Sequence, residues 1–184
     1  MPRKVDRLAW ARPCSRPNVL PRRKVDYRNL KAVGLRYERA VGIAVERLRI
    51  GNVLRGQWFE FFDANGHGYC QPDILVIRRD DVVVLECKLT EVDEAEAQLE
   101  DLYVHVVRRV YKLPVKGIVV ARHLTRLTNT ARVYDGLQAA LQASDGTLPG
   151  HSPILHWIGR GPIDHKGPAE PRWDLDTALR RPAQ

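Results

Sequence analysis

The sequence predicts an α/β fold with αβββαβ order and a mixed central sheet flanked by helices, and three observations carry that expectation. An apolar period close to 3.6 residues runs through positions 32–50. Three short runs of β-formers follow before residue 88. A second helical stripe then leads into the buried apolar run Gly117–Ala121. Strands joined by tight turns pair antiparallel, whereas a strand reached through a crossover helix can pair in parallel, so this order builds a mixed sheet.

The first helix is read from Tyr37, Val41, Ala44 and Leu48, at i, i+4, i+7 and i+11. Gln57–Phe62 is short and aromatic. It is followed by Asp63–Gly68, whose Asn65-Gly66 pair is a hairpin signal. A return strand is expected over Tyr69–Ile77, with Pro72 at its entry or at a bulge, and Arg78–Asp81 turns it into Val82–Lys88. These three strands are expected to form one antiparallel meander. Thr90 and Asp93 resemble a capping box, so a second helix starts there. Acidic residues crowd its first turns, and Arg108, Arg109 and Lys112 its end, matching the helix dipole. Its stripe is Ala95, Leu99, Leu102, Val106 and Val110, and Pro114 closes it. Gly117–Ala121 is read as a buried strand, Asn129–Ala143 as a third helix and Ile154–Ile158 as one more strand.

With 184 residues, 44% of them apolar, the chain suits one domain with a proper core. The expected organisation is a basic Pro/Arg-rich arm over 1–30, a domain over 31–159 and a Gly/Pro-rich tail over 160–184 with Trp173 as its docking residue. No apolar run approaches the roughly 20 residues that cross a bilayer, and the basic N-terminus lacks the apolar core of a secretory signal. An intracellular, cytoplasmic protein without a membrane partner is expected. Cys14, Cys70 and Cys87 contain no C-x-x-C pair, which argues against a disulfide framework or a zinc site.

The net charge of +8 favours a polyanionic partner, with nucleic acid first. Residues 1–28 hold nine basic side chains against Asp6 and Asp26, a net of +7. Pro2, Pro13, Pro17 and Pro21 forbid a continuous helix there, so the arm reads either as an extended segment lying over another surface or as a solubilising tail. Arg22, Arg23, Lys24 and Arg28 are its candidate phosphate contacts.

The chemistry is expected in Gln71-Pro72-Asp73 and in Val82–Lys88. Alternation along the latter strand puts Glu86 and Lys88 on one face and Cys87 on the other. A hairpin around Arg78–Asp81 brings Asp73, at the start of one strand, beside the end of the next. Two carboxylates can hold a hard cation such as Mg²⁺ through oxygen, the ion activates a bound water, and the lysine can steady charge on a phosphate. A D/E-x-K triplet alone is weak evidence, and Asp164-His165-Lys166 is a second one, in a segment with no strand before it. The first triplet gains weight because its charges interrupt a run of strong β-formers. Trp58, Phe59, Phe61 and Phe62 could stack on unpaired bases, but strand spacing makes most of them core. His67 and His105 read as surface residues and Cys87 as a packed thiol.

Pro72-Asp73, twelve intervening residues and Glu86-Cys87-Lys88, set on this element order, resemble the PD-(D/E)XK nuclease superfamily over about residues 32–121. The resemblance implies a restriction-endonuclease-like core and a DNA-cleaving endonuclease using Mg²⁺, with Mn²⁺ able to substitute. It makes Asp73 and Glu86 metal ligands with the Cys87 backbone carbonyl, and Lys88 the catalytic lysine. Glu38, in Gly34-Leu-Arg-Tyr-Glu38, matches the upstream helix glutamate, and Gln98 a glutamine of RecB-like members. In those members a tyrosine follows four residues later, where this chain has Leu102, with Tyr103 one further on. Three cysteines fall short of the four that an iron–sulfur cluster in such proteins needs, so none is expected. Many endonucleases of this kind are homodimers. An inert nucleic-acid-binding module of the same fold and an RNA-cleaving relative remain open alternatives. Helical phase selects Glu38 over Glu46: Glu38 lies in line with Gly34, Val41 and Val45 at the edge of the apolar stripe, and Glu46 in line with Arg39, Gly42 and Arg49 on the polar side.

Overall fold

A computed structural model describes residues 3–18, 30–90, 92–124, 132–144, 152–160 and 163. In chain order the elements are β1 (Trp10–Cys14), α1 (Leu30–Leu48), β2 (Asn52–Arg55), β3 (Trp58–Asp63), β4 (Gly66–Cys70), β5 (Ile74–Ile77) and β6 (Val82–Lys88), followed by α2 (Val92–Gln98), a π turn (Leu99–Tyr103), α3 (Val104–Tyr111), β7 (Val115–Ala121), β8 (Val133–Tyr134), α4 (Leu137–Ala143) and β9 (Ile154–His156).

The main sheet has six strands in the order β2-β5-β6-β7-β9-β8. The first two pairings are antiparallel and the rest parallel, as a crossover through α2 and α3 requires. Both faces are covered. Tyr37, Val41 and Val45 of α1 pack with Ile74, Val76, Val83 and Leu85 on one face. Leu99, Leu102, Val106 and Val107 pack with Leu75, Val82, Val84 and Val119 on the other. This double burial explains why β5 and β6 read as unbroken apolar runs.

The meander expected from Gln57–Phe62, Tyr69–Ile77 and Val82–Lys88 is not one sheet. The middle run is broken at Gln71–Asp73, where Pro72 cannot donate to a ladder, into β4 and β5. β3 and β4 form a hairpin that leaves the main sheet and pairs with β1 in a sheet of order β1-β3-β4. Its place beside β5 is taken by β2, a strand of four residues to which the sequence pattern assigned no element. The cause is the aromatic run: Phe59 and Phe61 are fully buried against the α3 layer, so the hairpin packs face-down there.

Part of the basic arm is folded onto this hairpin. β1 runs antiparallel to β3 with Trp10 opposite Phe62 and Cys14 opposite Trp58. Pro13 is tolerated because β1 is an edge strand. Arg3 pairs with the buried Asp63, donates to the carbonyls of His67 and Gly66, and lies 4.9 Å over the Phe61 ring. Burial works to raise the Asp63 carboxyl, but hydrogen bonds from Arg3 and from the Asp6 and Asn65 amides outweigh it and hold the group below its usual range.

The helix expected from Asn129 begins only at Leu137, and Val133–Tyr134 pairs instead as β8. Arg22, Arg23, Lys24, Arg28, Asn129, the triplet Asp164–Lys166 and Trp173 lie outside the described residues. No helix among the described residues is long and apolar enough to cross a membrane.

Candidate active site

β5 and β6 pair with Ile74 opposite Leu85, so Asp73, one residue before β5, falls beside Glu86. Two backbone contacts fix it there. The Cys87 amide donates to Asp73 Oδ2 at 2.7 Å. The Asp73 carbonyl accepts from the amide of Gly56 at 2.8 Å. Gly56 turns the chain between β2 and β3 with φ of 60°, a conformation that side chains disfavour.

Glu86 is only 3% exposed, in a strand between β5 and β7. Its Oε1 stands 3.4 Å from Lys88 Nζ, while Oε2 is buried with no hydrogen-bond partner among the described residues. Lys88 bridges to α2 through Glu94 Oε2 at 3.7 Å. Both side chains therefore face the α2–α3 layer, as strand alternation requires. Glu38 reaches Asp73 from α1, on the other layer, and the two share an open pocket of about 340 Å³ with Leu35, Arg39, Arg55 and Ile74. Glu46 lies elsewhere on α1, in an exposed pair with Arg55 at 3.1 Å.

The electrostatics are those of acids short of cations. Burial, then the neighbouring Asp73 charge, pushes Glu86 from 4.5 up to about 8 despite Lys88. Burial raises Asp73 from 3.8 to about 6 against the bond from Cys87 and the Lys88 charge. Burial and Asp73 raise Glu38 from 4.5 to about 7. Each shift disfavours the charged form, and a fixed positive charge among the three would reverse it. As the side chains stand, no three Asp, Glu, His or Cys groups among the described residues are gathered closely enough to hold a metal ion. Asp73 and Glu86 are a pair, and Glu38 stands on the α1 side, where it shares the pocket with Asp73 alone of the two.

The Cys87 thiol packs with Tyr37 and its neighbours on the α1 side, where burial keeps it firmly protonated. Its amide is committed to Asp73, and its residue pairs with Val120 of β7. Gln98 ends α2, and its Oε1 is buried without a hydrogen-bond partner among the described residues.

Tyr103 is a residue that sequence reasoning did not place in the site. It is buried, and after burial itself the charges of Glu86 and Asp73 are the largest influences raising its hydroxyl. The π turn puts it there. The Val104 amide bonds the Leu99 carbonyl five residues back, one more than in an α-helix. One extra residue thus separates Gln98 from the face that looks at the acids. The spacing Gln98 to Tyr103 is the one visible signal in the sequence, and read as α-helix it points to Leu102.

No family model matches the sequence, and no curated protein is significantly similar to it. Among solved structures, the small subunit of a heterodimeric restriction endonuclease aligns at 12% identity with a TM-score of 0.40. The alignment covers 71% of this chain and 65% of that subunit, so the chain spans less than two thirds of its length.

Proposed function

We propose that this chain is a Mg²⁺-dependent nuclease that hydrolyses phosphodiester bonds in DNA from a restriction-endonuclease-like core. One observation carries the reading: Glu86 is a buried carboxyl with one oxygen unpartnered among the described residues, beside a second carboxyl and a lysine. A buried charge left so exposed to its own kind is costly unless a cation joins it. The layout supports the same reading, since without the small sheet of β1, β3 and β4 the chain order from α1 to β7 is α1, β2, β5, β6, α2–α3, β7.

Oxygens of Asp73 and Glu86, a hard donor pair, would hold a divalent ion, with the Cys87 carbonyl on the same strand and Glu38 reaching it from the α1 side as further oxygen ligands. When bound, the ion polarises the phosphate and lowers the pKa of water. The residues themselves divide the remaining work. β5 and β6 hold Asp73 and Glu86 in fixed register, so no reorganisation is needed when charge develops. Lys88, with Glu86 and Glu94 at 3.4 and 3.7 Å, presents an ammonium to a phosphate oxygen at the same strand end. Tyr103 and Gln98 close the site from the helix. Arg22, Arg23, Lys24 and Arg28 add phosphate contacts that position DNA without reading its sequence.

The deciding experiment incubates the purified chain with linear, circular and branched DNA, and with RNA, in Mg²⁺, Mn²⁺ or EDTA. Cleavage of DNA only with metal, reduced at least about a hundredfold in Asp73→Ala and in Lys88→Ala, is the expected result. Undiminished cleavage by folded Asp73→Ala, or binding without any cleavage, overturns the proposal.

A further inference from the structure

The inner face of the small sheet is accounted for by the core, and its outer face is not. Strand register sets Trp10 of β1 opposite Phe62 of β3, and Phe62 opposite His67 of β4, so the three form one cross-strand row. Alternation aims this row away from the buried Phe59 and Phe61. Trp10 is 38% and Phe62 43% exposed. Their planes lie within 12° of parallel with centroids 6.4 Å apart, too far for either ring to cover the other's face, and His67 sits 5.8 Å from Trp10. The next row holds Arg12, Glu60 and Tyr69. Glu60 accepts from Arg12 at 2.7 Å and from Tyr69 at 3.2 Å and pairs with His67 at 2.8 Å, so its charge is already matched while it orients the others. The Arg12 guanidinium stands 5.5 Å over the Trp10 ring.

A basic cleft of about 610 Å³ lies along α3 beside the start of β1, lined by Leu8, His105, Arg108, Arg109 and Lys112, with no acid among the described residues that line it. The two features are joined through consecutive residues. Leu8 lines the cleft, the Ala9 carbonyl accepts from Arg109 at 2.7 Å, and Trp10 opens the row.

We propose that this row and cleft together bind single-stranded nucleic acid, with unpaired bases stacking on Trp10 and Phe62 and the backbone phosphates meeting Arg108, Arg109 and Lys112. A solvent-facing sheet surface is ordinarily polar, and flat rings beside clustered cations are the combination that single strands recruit. A duplex hides its base faces from such rings. An acidic peptide or an anionic membrane supplies the charge but not the flat faces. Asp73 is six positions after His67, a reach of at most about 22 Å, so a strand held here lies within a few nucleotides of the acids. The inference deepens the nuclease reading by naming its substrate class, yet the surface stands apart from the acids and is tested without metal.

The test is fluorescence anisotropy of the full chain in EDTA with labelled dT12 and with a labelled blunt duplex. Trp10→Thr and Phe62→Thr keep strand propensity and should each weaken dT12 binding about tenfold while duplex affinity stays within about twofold. Trp10→Phe should bind dT12 like the parent. Arg108→Gln with Lys112→Gln should flatten the salt dependence for dT12 by about 0.7 for each phosphate no longer neutralised. Thermal unfolding checks each variant. If Trp10→Thr loosens β1, Phe62→Thr at the parental unfolding temperature carries the result. Unchanged dT12 binding in that variant, equal loss on duplex, or ring-dependent binding of polyglutamate or anionic vesicles at comparable affinity overturns the proposal. Loss of cleavage with dT12 binding intact defeats only the nuclease reading, and cleavage with ring-independent dT12 binding defeats only this one.

Discussion

Glu86→Gln should make the metal-free protein more stable at alkaline pH, although the side chain sits in the middle of the main sheet. In the unfolded chain this carboxyl loses its proton near 4.5, and in the folded protein only near about 8. The native state therefore binds the extra proton across that window, and stability must fall as pH rises through it. Asp73 and Glu38, raised to about 6 and about 7, act in the same direction. At about 1.36 kcal/mol per pH unit the Glu86 displacement has a ceiling of about 5 kcal/mol at pH 8.5. Asp73 and Lys88 share that cost, so about 1–3 kcal/mol should be recovered by the neutral isostere. For a chain of this size this is a rise of about 2–12 °C in Tm. Thermal unfolding in EDTA at pH 5 and pH 8.5, repeated with Mg²⁺, measures it. The parent should gain from Mg²⁺, by about 2.7 kcal/mol at a hundred times Kd, more at pH 8.5 than at pH 5, and the variant should not. A variant destabilised equally at both pH values would show Glu86 to be a structural partner of Lys88, and equal Mg²⁺ stabilisation of parent and variant would remove it from any metal site.

Three further outcomes follow from other parts of the molecule. Glu38→Gln should lower turnover on DNA at least about tenfold with binding retained, whereas Glu46→Gln, which loses only an exposed pair with Arg55, should match the parent; the opposite pattern in a cleavage time course would refute the assignment. Replacing Arg22, Arg23, Lys24 and Arg28 by glutamine should reduce the slope of log affinity against log salt on duplex DNA by about 0.9 for each phosphate no longer neutralised, and an unchanged slope would make them bystanders. Asp63→Ala should cost about 1–3 kcal/mol at pH 7 in urea unfolding, because Arg3 and the amides of Asp6 and Asn65 lose their acceptor. Since folding lowers the Asp63 carboxyl, that loss should shrink as pH falls below its ordinary 3.8; a loss that does not shrink would locate the effect in packing.

The acid pair was legible because it lies within a hairpin. Once Val82–Lys88 is a strand and Arg78–Asp81 its turn, register alone sets Asp73 beside Glu86. The side of α1 on which Glu38 lies was legible because helical phase needs only local spacing, but its place across the sheet from Glu86 and Lys88 was not. The β3–β4 hairpin was legible from Asn65-Gly66, but the third strand of its sheet was not, since closure depends on Trp10 meeting Phe62 across more than fifty residues, and nothing local in W-A-R-P-C announces that partner. β2 was missed because Asn-Val-Leu-Arg is too short to show alternation. Tyr103 was missed because a π turn changes the phase of a helix by one residue without leaving a mark in the apolar pattern.

The strand at the N-terminus also has a consequence for the order of assembly. β1 is made before its partner, which begins 44 residues after β1 ends, and Arg109, which holds the carbonyl of Ala9, comes later still. During synthesis the edge of β1 must wait unpaired while α1 and β2 emerge. The small sheet therefore closes by pairing of residues far apart in sequence, which is slow relative to the formation of helices and hairpins. The β3–β4 hairpin can form by itself and serve as the template. Docking of the arm is then a late step in folding, and the outer aromatic row exists only after it is complete.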